Sequence, residues 1–315
     1  MRIVVTGGAG FIGANLCRTL VAAGHHVVVL DDLSTGSLSN LVGIDVRVVE
    51  GSVLDDAALD DACAGADAIV HLAALGSVPR SVAAPLPTLA ANATGTALVL
   101  EAARRHGGLH VVLAGSSSVY GANPTLPKHE GLLPQPMSPY AASKLATETY
   151  ALAWGHSYGL PVLAFRFFNV FGPLQPADHI YAAVVPRFLA AALDGEPLTI
   201  YGDGLQSRDF TYVGTVAAIV QDAVERRVTC DGPVNLAFGS RVTLLDVVSH
   251  IESMLGTPLP VQHLPARVGD VRHSQAANER LLDLFPDAQP VSLDDGLRAT
   301  LAWTRTARAG LRAPE

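Results

Sequence analysis

A chain of 315 residues with 49% hydrophobic and 16% charged side chains can bury a large core and is too apolar for a disordered protein. Its net charge of -8 argues against nucleic-acid or anionic-membrane partners, although it leaves room for a local basic pocket. Three scattered cysteines, a short apolar N-terminus and the lack of a run of ~18 apolar residues predict a reduced, cytoplasmic protein.

Short β-branched runs alternate with Ala- and Leu-rich stretches along the first half of the chain. The predicted strands lie at residues 3–5, 27–30, 46–49, 68–72, 111–113 and 162–165. The predicted helices lie at residues 14–23, 55–63, 89–105 and 140–158. Apolar strands separated by helices indicate an α/β protein with a doubly wound parallel sheet that is covered on both faces.

The pattern changes near Asn169, where loops rich in proline and glycine begin. Beyond it, a helix is predicted around 184–193, a strand and helix around 234–255, and a last helix at 293–304. We therefore predict a cofactor-binding domain at 1–168, which also receives segments near 210–240. A smaller C-terminal α/β domain at 169–315 is predicted to bind the substrate.

A glycine-rich turn joins the first predicted strand to the first helix. Gly7, Gly10 and Gly13 form the pattern Gly-x-x-Gly-x-x-Gly, which includes Phe11 and Ile12. Glycines let the backbone approach a pyrophosphate, and the helix N-terminus supplies N–H donors and a positive dipole end. The turn therefore predicts a Rossmann-type dinucleotide site, with a purely structural turn as the alternative.

The second predicted strand ends in Asp31 and Asp32. An acidic side chain ~20 residues past the glycines can bind the ribose hydroxyls of adenosine and would repel a 2'-phosphate, so NAD is predicted over NADP. The alternative is that Asp31 only caps a turn or helix. His71 is interpreted as a packed core histidine. The remaining predicted cofactor contacts are Ser34, Thr35, Gly36, Ser52, Val53, Leu72, Ala73, Ala74, Asn92, Phe168 and Val170, together with Tyr140 and Lys144.

Tyr140 and Lys144 lie one helical turn apart and share a helix face. A free tyrosine is a poor base at neutral pH, but a nearby lysine ammonium favours its phenolate. Ser116 and Ser117 follow a predicted strand, whose carboxyl end faces the ligand crevice of such a sheet. We predict that Ser116, Tyr140 and Lys144 are catalytic. The alternatives are an exposed helix face for the Tyr-Lys pair and a hydrophilic turn for the serines.

These motifs resemble the NAD-dependent epimerase/dehydratase family. The likeness is carried by Thr-Gly-Gly-Ala-Gly-Phe-Ile-Gly at 6–13, Ser-Ser-Ser-Val-Tyr-Gly at 116–121, Ser-Pro-Tyr-Ala-Ala-Ser-Lys at 138–144 and Arg-Phe-Phe-Asn-Val-Phe-Gly-Pro at 166–173. Within the family the chain looks most like the UDP-hexose and UDP-N-acetylhexosamine 4-epimerases. The resemblance implies that Asn169 holds the diphosphate, Tyr201 packs on the uracil, Arg208 and Arg267 neutralise phosphates, and Asp270 binds the uridine ribose. The other substrate contacts predicted are Gly76, Ser77, Ser116, Ser117, Tyr140, Val184 and Ser274.

The residues after Ser116 separate the reactions of the family. Related sugar 4,6-dehydratases carry Asp-Glu there, whereas this chain has Ser117 and Ser118, which cannot supply a carboxylic acid and base. The chemistry that remains is 4-epimerisation, in which Tyr140 takes the proton of the 4-hydroxyl and hydride passes to NAD and back. The predicted pairs are UDP-N-acetylglucosamine/UDP-N-acetylgalactosamine or UDP-glucose/UDP-galactose. A UDP-glucuronate 4-epimerase and a non-catalytic dinucleotide sensor stay open as alternatives.

Three further features of the sequence bear on the substrate, the cofactor contacts and the assembly. Ser274 stands where relatives restricted to plain hexoses carry a bulky aromatic, so space for an N-acetyl group is predicted. Two positions depart from the pattern of relatives. One epimerase branch has a lysine at the position of Gly76, and relatives usually have an aspartate at the position of Ser52, so the phosphate and cofactor contacts there stay open. The helices at 89–105 and 140–158 are apolar at helical spacing, and the resemblance implies that they pair across a two-fold axis into a homodimer. The alternative is that they only cover their own sheet.

Overall fold

The structure, a computed structural model, describes residues 1–177, 183–266 and 271–312, the last three by their backbone alone. Its strands are β1 (Arg2–Thr6), β2 (His26–Asp31), β3 (Val46–Glu50), β4 (Ala68–His71), β5 (His110–Ser116), β6 (Val162–Phe167), β7 (Val170–Phe171), β8 (Leu198–Tyr201), β9 (Ser207–Arg208), β10 (Thr211–Tyr212), β11 (Val234–Leu236), β12 (Val242–Thr243) and β13 (Val261–Leu264). Its helices are α1 (Phe11–Ala22), α2 (Asp56–Cys63), α3 (Val78–Ala83), α4 (Pro85–Leu89), α5 (Gly95–Arg105), α6 (Pro139–Tyr158), α7 (Val184–Asp194), α8 (Val213–Glu225), α9 (Leu244–Leu255), α10 (Glu279–Leu284) and α11 (Leu293–Arg312).

Seven strands form one parallel sheet in the order β11-β6-β5-β4-β1-β2-β3. The predicted doubly wound parallel sheet is therefore confirmed, and all six strands predicted in the first half belong to it. The chain runs outward from β1 in one direction to β3 and then returns to β4 on the other side. Ligands of such sheets bind at this reversal, outside the carboxyl ends of the strands.

Both faces of the sheet are covered because the central strands carry apolar residues on both sides. In β1, Ile3 and Val5 face one core, which α1 and α8 close, while Val4 faces the other core, which α2, α5 and α6 close. All three side chains are fully buried. This two-sided burial explains why the strands read as continuous apolar runs and not as alternating ones.

A separate core lies in the C-terminal half. Phe171, Phe188, Ile200, Ile251 and Leu301 belong to it, and α7, α9 and α11 surround it. The division predicted after residue 168 falls between β6 and β7. The chain then crosses back, since α8 packs against α1 and β11 pairs with β6, within the segment near 210–240 that was predicted to return.

Several elements differ from the predictions, among them three helices. The helix predicted at 89–105 is observed as α4 and α5, which are joined by a π-helical turn at Ala90–Thr94. The last helix continues to Arg312. Helix α8 is not among the predicted elements, because its β-branched residues resemble a strand and no side chain caps its N-terminus.

Within the described residues, no helix has both the length and the apolar character that crossing a bilayer requires. The three cysteines, which all lie in the described part, are free thiols. The cytoplasmic location stays a prediction.

Candidate active site

The glycine-rich turn lies at the carboxyl end of β1 and leads directly into α1. Gly7 has a φ of +71°, and a Cβ atom at this position would lie 2.7 Å from the backbone nitrogen of Ala73. A Cβ atom at Gly13 would lie 2.2 Å from the Gly7 carbonyl oxygen. Gly10 is the N-cap residue, so Phe11 and Ile12 form the first helical positions, whose N–H groups have no acceptor within the helix. The turn therefore has the close backbone approach and the unpaired N–H groups that the pyrophosphate of a dinucleotide needs, and its binding role stays a prediction.

Asp31 ends β2 and is almost fully buried. Its Oδ2 accepts a hydrogen bond from the Ala9 N–H at 2.9 Å, and its Oδ1 accepts one from the Leu33 N–H at 2.8 Å. Burial raises the pKa of the Asp31 carboxyl, and these two hydrogen bonds oppose that shift. Asp31 thus braces the glycine turn, as the alternative interpretation expected, while each carboxylate oxygen keeps a second lone pair for a ribose hydroxyl. Asp32 is exposed and accepts from the Ser34 N–H at 3.0 Å.

The other predicted cofactor residues divide between the crevice edge and the interior. A Cβ atom at Gly36, just after Ser34 and Thr35, would lie 2.9 Å from Ala9 of the glycine turn. Ser52 accepts a hydrogen bond from the Leu54 N–H at 3.1 Å, and Val53 is buried. Leu72, Ala73 and Ala74 follow β4 directly. The Leu72 N–H donates to the carbonyl oxygen of Thr6, the last residue of β1, and the Ala73 N–H donates to the Thr6 hydroxyl oxygen. Val170 begins β7.

Phe168 was predicted as a cofactor contact, but its side chain is fully buried. Its ring centroid lies 6.2 Å from that of Tyr120 in the interior. Its ring therefore cannot face a ligand, and only its backbone remains available for the predicted role. The stretch Phe-Arg-Phe-Phe at 165–168 gave no sign of which rings point inward.

His71, the last residue of β4, is buried between two threonines. Its Nδ1 lies 2.7 Å from Thr6 Oγ1, and its Nε2 lies 3.0 Å from Thr96 Oγ1. Burial, and to a lesser degree the positive charge of Lys144, lowers the pKa of His71 to about 3. The interpretation of His71 as a packed core histidine is confirmed, and this neutral ring ties β1 to α5.

Asn92 lies in the π-helical turn and is also engaged within the protein. Its Oδ1 accepts from the Leu75 N–H at 2.7 Å, and its Nδ2 donates to Ser143 Oγ at 2.9 Å. The side chain predicted to contact the cofactor thus connects the loop after β4 to α6. Turns of this rare kind occur often at functional sites.

Tyr140 lies in the first turn of α6, which begins at Pro139 with Ser138 as the N-cap residue. Burial raises the pKa of the Tyr140 phenol, and a hydrogen bond with Ser116 opposes that shift. Lys144 donates to the Ala114 carbonyl oxygen at 2.8 Å, and burial lowers the pKa of its ammonium to about 8. The lowering of the phenol pKa expected from Lys144 is therefore not seen in the structure. Because burial raises the pKa of the phenol more than the hydrogen bond lowers it, positive charge brought into the site would be needed to lower this pKa below its ordinary value.

A chain of hydroxyl groups leads to Tyr140. The Oγ of Ser116, the last residue of β5, accepts from Ser118 Oγ at 2.9 Å and from the Ser118 N–H at 3.2 Å. Because Ser116 is an acceptor towards Ser118, its own proton is left for the oxygen of Tyr140. Ser118 was not predicted as a site residue, although the three consecutive serines of the motif were its signal. Ser117 opens the short 3-10 turn that follows.

A cavity of about 240 Å³ lies between β7, α7 and β8. Five predicted site residues line it together: Asn169, Val170, Val184, Tyr201 and Arg208. Arg187 also lines it, and its guanidinium carbon lies 6.0 Å from the centroid of the Tyr201 ring. A cavity with a tyrosine face and two arginines suits a ligand that has a planar ring and anionic groups. Arg187 is not among the predicted site residues; its place beside Tyr201 follows only from the folded helix.

The remaining predicted substrate residues lie in other segments or outside the described residues. Ser77 is the N-cap of α3 and accepts from the Arg80 N–H at 3.2 Å. A Cβ atom at Gly76 would have open space around it. The Ser274 N–H donates to the carbonyl oxygen of Ser207, the residue before Arg208, at 3.1 Å. The predicted Arg267 and Asp270 lie outside the described residues.

Comparison with known proteins gives concordant results. The sequence profile of the NAD dependent epimerase/dehydratase family matches residues 3–237. A UDP-glucose 4-epimerase from Mycolicibacterium smegmatis is 36% identical, with 97% of this chain and 99% of that protein covered. A dTDP-glucose 4,6-dehydratase from Streptomyces niveus is 34% identical, with 98% and 94% covered. The solved structure of UDP-N-acetylglucosamine 4-epimerase from Methanobrevibacter ruminantium M1 in complex with UDP-N-acetylmuramic acid is similar with a TM-score of 0.92 and 36% identity, over 97% of this chain and 98% of that one.

The buried His71 predicts an acid-dependent loss of stability. Its folded pKa of about 3 lies below its ordinary 6.5, so below pH 6.5 the unfolded chain binds a proton that the folded protein excludes. Between about pH 7 and about pH 5, wild type should lose about 2 kcal/mol more unfolding free energy than His71→Asn does. Urea unfolding at both pH values measures this difference. His156→Asn, on an exposed position of α6, is the matched control and should follow wild type. Equal losses in wild type and His71→Asn would contradict the prediction.

Proposed function

The chain belongs to the NAD-dependent epimerase/dehydratase family, and we propose that it is an enzyme that inverts C4 of a UDP-sugar. The observation that carries the proposal is the hydrogen-bonded order Ser118, Ser116, Tyr140, in which serine hydroxyl groups lead to the base. This set can move one proton to and from a sugar hydroxyl. It supplies no carboxyl group for the elimination of water.

The protein groups divide the work of the reaction. The Tyr140 phenolate removes the proton of the 4-hydroxyl, and Ser116 donates a hydrogen bond that stabilises the negative oxygen before the transfer. The ammonium of Lys144, held by the Ala114 carbonyl, keeps positive charge within the buried site. The turn from Gly7 to Gly13 would hold NAD, which would supply the hydride acceptor and donor for the C4 hydrogen. Tyr140 then gives its proton back to the inverted 4-hydroxyl.

The cavity at the edge of the C-terminal core supports a nucleotide diphosphate as the handle of the substrate. Tyr201 offers an aromatic face to a uracil ring, and the arginines at 187 and 208 offer charge to the diphosphate. Asn169 lines the same cavity and has a φ of +27°, and its Nδ2 donates to the Asp209 carbonyl at 3.1 Å. A handle held there leaves the sugar free to turn, which inversion at C4 requires.

A 4,6-dehydratase is the strongest competing activity, because one relative carries that name. Dehydration needs an acid for the leaving hydroxyl and a base for a carbon-bound proton. Ser117 and Ser118 occupy the two positions after Ser116, and a serine hydroxyl at neutral pH is neither a useful acid nor a useful base. The absence of carboxyl groups at these two positions therefore favours epimerisation.

We further propose that the sugar carries an N-acetyl group, as in UDP-N-acetylglucosamine. The space around Gly76 is open, and Ser274 is a small, half-buried residue beside β9. The Methanobrevibacter relative is named for UDP-N-acetylglucosamine, and the sugar in its complex also carries an acetamido group. These observations support a pocket with room beside the 2-substituent of the sugar.

An assay of purified protein without added NAD tests both proposals. UDP-N-acetylglucosamine should be converted to its galacto epimer, and Ser274→Tyr should reduce this activity at least roughly tenfold while sparing UDP-glucose, because the added ring clashes only with the larger sugar. Tyr140→Phe is the inactive control and should lose at least ~100-fold on either substrate.

Two outcomes of the assay separate the proposals. Turnover of UDP-glucose or UDP-glucuronate but not of UDP-N-acetylglucosamine would overturn the sugar assignment and keep the reaction. Failure to convert any of the three sugars, even with NAD added, would overturn the reaction itself and favour a dinucleotide sensor.

A row of aromatic residues on α6 supports a homodimer, which the family resemblance implied. On α6, Tyr150, Trp154 and Tyr158 form a ladder of edge-to-face rings, with centroids 5.8 and 5.6 Å apart. Tyr150 is 41% and Tyr158 58% exposed, which is unusual for a continuous aromatic row on a lone chain. We infer that the same row of a second copy covers it.

Light scattering after size exclusion tests the dimer. At micromolar concentration the mass should be twice the 32.8 kDa of one chain. Tyr150→Glu should lower it towards one chain, because it places charge in the covered row. Val42→Glu changes an apolar residue that is even more exposed, at 76%, and lies outside α5 and α6, so it should leave the mass unchanged. A wild-type mass of one chain would refute the dimer.

A further inference from the structure

The peptide of Tyr140 is held on both sides by serine hydroxyl groups. The Tyr140 N–H donates to Ser81 Oγ at 3.0 Å, and the Tyr140 carbonyl accepts from Ser143 Oγ at 2.8 Å. The first N–H groups of an α-helix have no acceptor within the helix, so the contact with Ser81 satisfies a donor that α6 itself leaves unpaired. The next N–H, that of Ala141, donates to the N-cap Ser138 at 3.1 Å.

Ser81 is positioned for this one acceptor role. It lies in α3, is fully buried, and donates its hydroxyl proton to the Val78 carbonyl at 2.7 Å. Because its proton is already used, its oxygen can meet the Tyr140 N–H only as an acceptor. The donor and acceptor roles in this hydrogen bond are therefore fixed by the helix in which Ser81 lies.

A second connection joins the same two parts of the chain. Asn92 binds the Leu75 N–H at 2.7 Å and donates to the Leu75 carbonyl at 3.3 Å. Its Nδ2 also donates to Ser143, whose hydroxyl holds the Tyr140 carbonyl. The segment 75–81, which contains the predicted sugar contacts Gly76 and Ser77, is thus attached to the Tyr140 peptide at two points.

We propose that Ser81 is a positioning residue for Tyr140, which anchors the peptide N–H so that the phenol stays in hydrogen-bond contact with Ser116. Ser116 ends a central strand of the sheet, whereas Tyr140 lies at a helix end, where backbone groups fray most easily. The separation of the two side chains therefore depends on what fixes the first turn of α6. This proposal rests on the proposed function only in naming Tyr140 as the base.

An NMR titration of protein that carries ¹³C-labelled tyrosine measures the ionisation of Tyr140 and tests the proposal without any substrate. The chain has seven tyrosines, and loss of one signal in Tyr140→Phe identifies the one of interest. Ser81→Ala should raise the pKa of Tyr140 towards the value in Ser116→Ala, since both lose the same hydrogen bond to the phenol. Ser81→Thr keeps the hydroxyl group and should stay near wild type.

Ser138→Ala is the matched control, because it removes the neighbouring hydrogen bond of the same helical turn without touching the Tyr140 N–H. An unchanged pKa of Tyr140 in Ser81→Ala would overturn the proposal. An equal shift in Ser138→Ala would also overturn it, because any weakening of the helix end would then suffice. If Ser81→Ala does not fold, Ser81→Cys, whose sulfur is a poor acceptor of similar size, decides by the same titration.

Kinetics separate this proposal from the proposed function. With an active sugar, Ser81→Ala should lower kcat roughly 10- to 100-fold with little change in KM, the scale expected when a reacting group is displaced. A wild-type kcat in Ser81→Ala would overturn the positioning role. If wild type is inactive on every sugar, the proposed function fails, and the titration still decides the role of Ser81.

Discussion

The hydrogen bond between Ser116 and Tyr140 is the interaction on which the site depends. Burial raises the pKa of the phenol, and this bond is the opposing influence within the protein. Its two ends belong to different elements, because Ser116 ends β5 and Tyr140 begins α6. The position of α6 on the sheet therefore controls the base.

A buried ion pair fixes α6 two turns further along. Tyr140, Lys144 and Glu148 follow at intervals of four residues and share one face of the helix. The Glu148 carboxylate accepts two hydrogen bonds of 2.7 Å from Arg166 of β6. The guanidinium of Arg166 also lies 4.6 Å from the ring centroid of Tyr120, which closes the serine turn. Buried pairs add little net stability but favour one arrangement strongly, since neither charge tolerates the loss of its partner.

The sequence was most informative where function depends on local chemistry. The glycine turn, the carboxylates at the end of β2 and the one-turn spacing of Tyr140 and Lys144 all follow from neighbouring residues. Contacts between distant segments could not be read in this way. Ser81 meets Tyr140 across 59 positions, and Arg187 meets Tyr201 only after α7 packs. Helix α8 was missed because its valines and isoleucine suit a strand equally well, and the sheet that covers it decides the outcome.

The central claim is that Tyr140, with serine hydroxyl groups beside it, acts as the base, and that the C4 hydrogen of the sugar returns to the same carbon. The most direct measurement is turnover of UDP-N-acetylglucosamine in D₂O, with the product examined by NMR and mass spectrometry. After the O–H and N–H positions are exchanged back in H₂O, the account predicts the galacto epimer of unchanged mass, without deuterium at C4 or C5, because the C4 hydrogen never reaches solvent and no group removes the C5 proton. Deuterium at C5, or a product that has lost water, would contradict it.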